Sequence, residues 1–314
     1  MSNFSALHAI THPLFIQHKL TVHVKRDDHI HHIISGNKWR KLKYNLEHAK
    51  STGAKGIITF GGCFSNHIHA CAFACLQHKL PVIGIIRGEE NNQNNYTLAW
   101  AKHWNMQLTF VDRKTYRMRD NEDYLKQLQQ EYPDHFIIPE GGSNSLALQG
   151  VGEVIDELNQ QCEFDTLMTP VGSGGTLAGL VLADNAKHNL LGIAVLKQQN
   201  YLEQEVQSLL GEQNKTRKNW RIAHEFHRGG YAKFSLNDAD NIRSFSNIVG
   251  IDFEPVYSGK MVLALLDLIE SGYFPEHHRI VLLHTGGLQG LAGMFERGIL
   301  NQDEWPLLPV PPVQ

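Results

Sequence analysis

The sequence has no excess of either charge, no long apolar run, few cysteines and no internal repeat, and each absence removes a class of function. Twenty-nine Lys and Arg stand against 32 Asp and Glu, a formal charge of −3 over 314 residues. No basic field is present to hold nucleic acid or an acidic membrane surface, so neither is an expected partner. Apolar stretches such as MVLALL at 261–266 are far shorter than the ~20 residues that span a bilayer. The opening MSNFSALHAITHPLF lacks the basic flank and apolar core of a secretory signal, which makes the cytoplasm the expected location. The four cysteines, Cys63, Cys71, Cys75 and Cys162, form no CxxC pair and no small-domain disulfide framework. They are expected to be free, buried thiols in a reducing compartment.

Histidine is abundant, with 19 residues and two clusters, HIHHI at 29–33 and HIHAC at 67–71. Neither has the HExxH spacing that places two ligands on one helix face. Structural or surface histidines are expected, and no metal.

What is present is α/β grammar over a length that suits about two domains. GIITF (56–60), PVIGII (81–86), LTFV (108–111) and HFIIP (135–139) read as buried strands, with helices starting after 65, 94 and 119. DTLMTPV (165–171), LLGIAVL (190–196) and RIVLLHT (279–285) continue the series. The pattern predicts two domains, each an open, mostly parallel twisted sheet flanked by helices. The boundaries are expected near Ser51–Gly53 and just after EGGSN (140–144), which gives 1–50 with 151–314 as one domain and 51–150 as the other. The proline-rich tail WPLLPVPPVQ is expected to be extended.

In such sheets ligands gather where strands end and helices begin. VGSGGTLAGL (171–180) follows a strand and opens a helix. Gly172, Gly174 and Gly175 would let backbone N–H groups approach an anion, with Ser173 and Thr176 as hydroxyl donors. GxGxxG would need glycine at 177, and GxxxxGK[ST] would need lysine at 180; both positions are leucine. The loop therefore suits one terminal phosphate, although a glycine-rich structural turn reads the same way. In TFGGCFSNHIHACAFAC (59–75), Ser65 or Asn66 would cap a buried helix. That end could serve as a carboxylate site or be a plain cap. DFEPVYSGK (252–260) presents Tyr257 before a helix, and LLHTGGLQG (282–290) puts Thr285 at the lip of a strand-to-helix turn.

SGNKWRKLKYNL (35–46) packs four cations into a few residues. On a helical wheel with Lys38 at zero, Ala49, Leu42, Leu46 and Trp39 fall at about 20°, 40°, 80° and 100°. Arg40, Lys41, Lys43 and Lys50 fall between about 120° and 300°, where a solvated face is expected, so that Lys38 alone borders the buried stripe. A lysine at a helix start, partly out of water, has its charged form disfavoured twice, by the dipole and by desolvation. It could be a stem lying over Leu42. It could also be a free amine able to form a Schiff base with an aldehyde, and pyridoxal 5′-phosphate carries both an aldehyde and a single phosphate.

Five ordered motifs, GNKWRKL, GGCFSNH, VGSGGTLAG, EPVYSGK and HTGG, resemble those of one family. It comprises the fold-type-II pyridoxal-phosphate enzymes that include D-cysteine desulfhydrase and 1-aminocyclopropane-1-carboxylate deaminase, relatives of the tryptophan synthase β-subunit. The resemblance implies a tryptophan synthase β-like fold whose larger domain (1–50 and 151–314) binds the cofactor and whose smaller domain (51–150) faces the substrate. It implies that Lys38 holds the cofactor and moves protons, that Gly172, Ser173, Gly174, Gly175 and Thr176 bind its phosphate, and that Asn66 bonds the ring hydroxyl. Thr285 would face the pyridine nitrogen, Ser65, Asn66 and His67 would line the substrate side, and Tyr257 would lie against the ring and assist proton transfer. A homodimer is implied as well.

Within that family the ring-opening deaminases resemble one another in having Glu after the tyrosine and Leu before the last Gly-Gly. Here these positions are Ser258 and Thr285, as in desulfhydrases. The expected activity is β-elimination from D-cysteine, with cyclopropane deamination and a non-catalytic pyridoxal-phosphate or amino-acid binding protein as alternatives. Where many relatives have IQSNxxRQ, this chain has CFSNHIHA, and FHRGGYAKF (226–234) is individual as well. Both departures bear on the substrate.

Overall fold

A computed structural model of the chain describes residues 4–198, 200–211 and 217–311. The chain divides into two compact units, 1–37 with 148–288 and 38–147 with 289–314. Each is built on one sheet.

The first unit holds β1 (Leu7–Ile10), β2 (Thr21–Lys25), β7 (Thr166–Val171), β8 (Asn189–Ala194), β9 (Trp220–Ala223) and β10 (Arg279–Leu283), in the order β1-β2-β10-β7-β8-β9. Only the outermost pair, β1 and β2, is antiparallel. Its core joins Leu167 and Val171 of β7 and Leu190 of β8 to Val151, Ile155 and Leu158 of the helix Ser145–Gln161 and to Leu177 and Leu180 of the helix Gly175–Asp184. Strands buried along their whole length, such as TLMTPV, are what a parallel sheet covered on both faces requires.

The second unit holds β3 (Gly56–Gly62), β4 (Val82–Arg87), β5 (Met106–Val111) and β6 (His135–Ile138), all parallel in the order β5-β4-β3-β6. The helices expected after 65, 94 and 119 are Asn66–His78, Tyr96–His103 and Glu122–Glu131. Two segments expected with the first unit, 38–50 and 289–314, cluster with the second. In the helix Asn37–Ser51, Asn45 and Lys41 bond Asn144 and Ser143, and the His48 ring packs edge-on against Phe136. In the tail, Glu296 accepts the Tyr96 N–H, and Gly293 lies so close to Phe64 that a Cβ would meet its ring at 2.7 Å.

The three strands that the apolar pattern did not predict are β1, β2 and β9. Two are sheet edges with half-exposed residues. The third, β2, carries Lys25, whose fully buried ammonium is met 132 residues later by Glu157 at 2.5 Å. Among the described residues no helix is long and apolar enough to cross a membrane, and no group of three or more His, Cys, Asp or Glu side chains could hold a metal ion. All four cysteines are free; Cys71 and Cys75 are buried, whereas Cys63 and Cys162 are only half-buried.

Candidate active site

Within the second unit, Lys38 lies in the first turn of the helix Asn37–Ser51, half-buried, with its Nζ 3.4 Å from the carbonyl oxygen of Gly141. The wheel is corrected on the opposite face: Arg40 and Lys41, expected in solvent, are each only 1% exposed. Lys41 Nζ donates to Ser143 Oγ at 2.9 Å and shares the Gly141 carbonyl at 3.4 Å. A wheel assumes one buried stripe, but here the turn 140–144 covers a second side of the helix. Gly141 and Gly142 make that turn with φ of 68° and 71°. Glu140 anchors it, accepting the Tyr116 hydroxyl at 2.6 Å and pairing with Arg119.

Burial pulls the Lys38 amine down to about 8, and the nearby Glu140 carboxylate partly offsets this. Burial also carries Lys41 well below the lysine range, and the charge of Lys38 adds to the effect. As pH rises through about 8, Lys38 becomes the free base while solvent-facing lysines stay protonated. Competitive acetylation of the cofactor-free protein with trace acetic anhydride should therefore show half-maximal Lys38 reactivity near pH 8. A midpoint at the ordinary lysine value of 10.5 would contradict the desolvated amine.

At the end of β3, Ser65 is the N-cap of the helix Asn66–His78, accepting from the His67 and Ile68 N–H groups at 3.2 and 3.3 Å. Asn66 is half-buried, and a Cβ at Gly290 would come within 3.7 Å of its side-chain oxygen. His67 is buried, with Nε2 2.7 Å from Thr59 Oγ1. Thr59 donates its only hydroxyl proton to the Ile138 carbonyl at 2.9 Å, so it must accept from His67 Nε2–H. The tautomer is thereby fixed with Nδ1 unprotonated. That atom is buried and has no partner among the described residues. Burial and the charges of Lys38 and Lys41 hold His67 well below the usual imidazole range, as a neutral ring.

Within the first unit, residues 172–176 run from the end of β7 into the helix Gly175–Asp184. Gly174 is the N-cap at φ 74° and, lacking a side chain, cannot itself cap the first-turn N–H groups. A Cβ on it would meet Val206 at 3.1 Å. Ser173 is half-buried and Thr176 buried, with Thr176 Oγ1 accepting from Asn37 Nδ2 at 2.8 Å. Lys38 is the next residue in the chain. Tyr257 stands beside the loop, since a Cβ at Gly172 would lie 3.2 Å from its ring. Thr285 is 8% exposed, and its carbonyl accepts the Asn37 N–H at 3.3 Å.

The first unit thus gathers residues 172–176, Tyr257 and Thr285, and the second gathers Lys38, Ser65, Asn66 and His67. Asn37, Lys41, Thr59 and Glu140 were not singled out from the sequence. Asn37 and Lys41 have a local signal, as the neighbour of Lys38 and the residue one turn beyond it. Thr59 and Glu140 have none, because their roles arise from pairings 8 to 79 residues away.

The model of the pyridoxal-phosphate dependent enzyme family matches residues 10–286. The chain belongs to that family. A protein of Pyrococcus abyssi provisionally named 1-aminocyclopropane-1-carboxylate deaminase is 32% identical over 286 residues, covering 86% of this chain and 85% of the relative. The D-cysteine desulfhydrase of Klebsiella pneumoniae is 27% identical, covering 86% of this chain and 88% of its own. The crystal structure of a 1-aminocyclopropane-1-carboxylate deaminase homologue superposes with a TM-score of 0.80 at 29% identity, covering 94% of each chain. The expected fold class and cofactor stand.

The residues present suit pyridoxal phosphate. A helix N-terminus without a capping side chain, approached through glycine, offers N–H donors and the positive end of a dipole to a phosphate. A lysine whose amine loses its proton near pH 8 can condense with an aldehyde.

Proposed function

We propose that this pyridoxal-phosphate dependent enzyme eliminates the β-substituent of a small amino acid, with D-cysteine as substrate and pyruvate, ammonia and sulfide as products. The observation that carries the reading is the pair of hydroxyl side chains, Ser258 and Thr285. An acidic side chain facing a pyridine nitrogen would keep it protonated and strengthen its pull on electrons, and a hydroxyl does so less. Ser258 is fully buried, and its hydroxyl is engaged with Glu254. Expelling a thiolate from Cβ needs less assistance than opening a carbon ring.

Pyridoxal phosphate, when bound, supplies an aldehyde for the substrate amine and a sink for the electrons left at Cα. In this reading Lys38, neutral above about pH 8, holds the cofactor and then takes the Cα proton. The N–H groups of 172–176 would hold the phosphate, Asn66 would bond the ring hydroxyl, and Thr285 would face the ring nitrogen. The N-terminus at Ser65, Asn66 and His67 would orient the substrate carboxylate, and Tyr257 would lie against the ring and assist proton transfer. The C–S bond breaks, and water releases ammonia from the three-carbon remainder to give pyruvate. A homodimer in the cytoplasm belongs to the same reading, supported by the family resemblance and the composition.

Sulfide and pyruvate release from D-cysteine, L-cysteine, β-chloro-D-alanine and D-serine would test it, with D-cysteine expected to be fastest. No product from any of them would overturn it. A second reading, deamination of 1-aminocyclopropane-1-carboxylate, has in its favour that the Pyrococcus relative is more identical to this chain than the Klebsiella desulfhydrase is. Formation of 2-oxobutyrate from that substrate would mark it. Bound cofactor with no turnover of any amino acid would mark a binding protein.

A further inference from the structure

The loop His227–Gly230 has backbone strain that something must hold in place. Arg228, Gly229, Gly230 and Ala232 all have positive φ, at 51°, 94°, 111° and 53°, and two of the four are not glycine. Glycine adopts positive φ freely, but for Arg228 and Ala232 the left-handed region is unfavourable and persists where the surroundings over-determine it. Bonds inside the loop are few: Gly230 N–H to the His227 carbonyl, Gly229 N–H to His227 Nδ1, and Lys233 N–H to the Gly230 carbonyl.

A further restraint comes from Lys260, the third residue of the helix Ser258–Glu270, which is completely buried. Its Nζ lies 2.5 Å from the Gly230 carbonyl, 2.9 Å from that of His227 and 3.3 Å from that of Val195, just beyond β8. Three carbonyls match the three donors of an ammonium. The same helix start is fixed from its other side by Glu254, also buried, whose carboxylate accepts the N–H groups of Val256, Tyr257 and Ser258 at 2.7, 2.9 and 2.8 Å. Tyr257 thus sits between a carboxylate that grips its backbone and a lysine three residues later that grips the loop. Tyr231 leaves that loop 46% exposed, and its ring stands edge-on to Tyr257, with centroids 5.9 Å apart at 73°.

We propose that Lys260 is a positioning residue, which clamps the loop His227–Gly230 onto the helix carrying Tyr257 and so holds Tyr231 as the wall beside that tyrosine. The clamp rests on the reading that places Tyr257 at the reacting centre. It gives the individual segment 226–234 a physical link to substrate choice, because the loop's position fixes how much room lies beside Tyr257. Arg228 supplies an outer tether, paired with Asp267 of the same helix and 3.7 Å from Asp238.

The test compares holoenzyme carrying Lys260→Met, which keeps the stem and removes the donors, with wild type and with Arg228→Gln. Three quantities are read: the rate of chymotryptic cleavage after Tyr231, the affinity for D-alanine measured through the visible absorption of the bound cofactor, and KM and kcat for D-cysteine. Charge-assisted bonds of this kind predict about a 10-fold faster cleavage in Lys260→Met, with D-alanine affinity and KM weakened about as much and kcat less affected. Unchanged cleavage overturns the clamp, and faster cleavage with unchanged affinity and KM overturns its link to the site. Should Lys260→Met fail to fold, Arg228→Gln is expected to move cleavage and affinity together, by about 2-fold to 3-fold, and no change in either overturns the proposal. If wild type releases no pyruvate, the elimination reading fails while cleavage and D-alanine binding still judge the clamp.

Discussion

Replacing Lys38 by alanine is expected to lower turnover by at least ~10³-fold, because one side chain is asked both to hold the cofactor and to move the Cα proton. Borohydride reduction of the wild-type holoenzyme should fix the cofactor on the peptide containing Lys38, and reduction of the variant should leave that peptide unmodified. Arginine at this position is not expected to restore activity, since a guanidinium remains protonated at every pH the protein tolerates. Stability provides a separate check. The folded-state pKa is lowered from 10.5 to about 8, so the unfolded chain binds more protons between those values and folding stability rises with pH across that window. Urea midpoints should accordingly show wild type gaining on Lys38→Ala from pH 7.5 to 9.5. A variant that retains wild-type turnover would remove Lys38 from the chemistry.

Replacing Gly36 by alanine is expected to cost about 3 kcal/mol or more of stability, the sum of a left-handed backbone penalty of about 1–2 kcal/mol and the forced separation of two backbone segments. Gly36 has φ 72°, and a Cβ built there would lie 1.8 Å from the Thr285 oxygen and 2.6 Å from the Gly286 nitrogen. Those are backbone atoms, so no side-chain rotation relieves the contact. The adjoining Asn37 N–H donates to the same Thr285 carbonyl, and Asn37 precedes Lys38, so activity should fall in whatever fraction remains folded. Gly53→Ala is the control: φ is 76° there too, but nothing lies within 4 Å of the added carbon. It should show the conformational penalty alone, about 1–2 kcal/mol. Equal urea midpoints for the two variants would mean that the approach of Gly36 to Thr285 is not as close as it stands here.

Of the strands recognised in advance, β3, β4, β7 and β8 are buried almost throughout, and their largely apolar runs announce themselves because no charged residue interrupts them; the half-exposed edge strands β5 and β6 showed by shorter apolar runs. β2 did not, since its Lys25 is tolerated only through Glu157, Gln161 and the Ser5 carbonyl, partners that no local window contains. The same limit applied to the cationic helix. The wheel set Lys38 at the edge of the apolar arc correctly, but it left Lys41 in water because the turn 140–144 that covers it lies about 100 residues further along.

Residue order alone was enough for the glycine loop at 172–176 and the helix start at Ser65, because each depends on spacings that fit within one strand and one turn, and for the α/β class and the family, because those show in the order of such short segments along the chain. Folding settled which charges lose their water: the shared carbonyl of Lys38 and Lys41, the bare nitrogen of His67 and the grip of Lys260 on its loop. Desolvation and hydrogen-bond partnership belong to neighbours in space, and for Lys38 that neighbour stands 103 positions away along the chain.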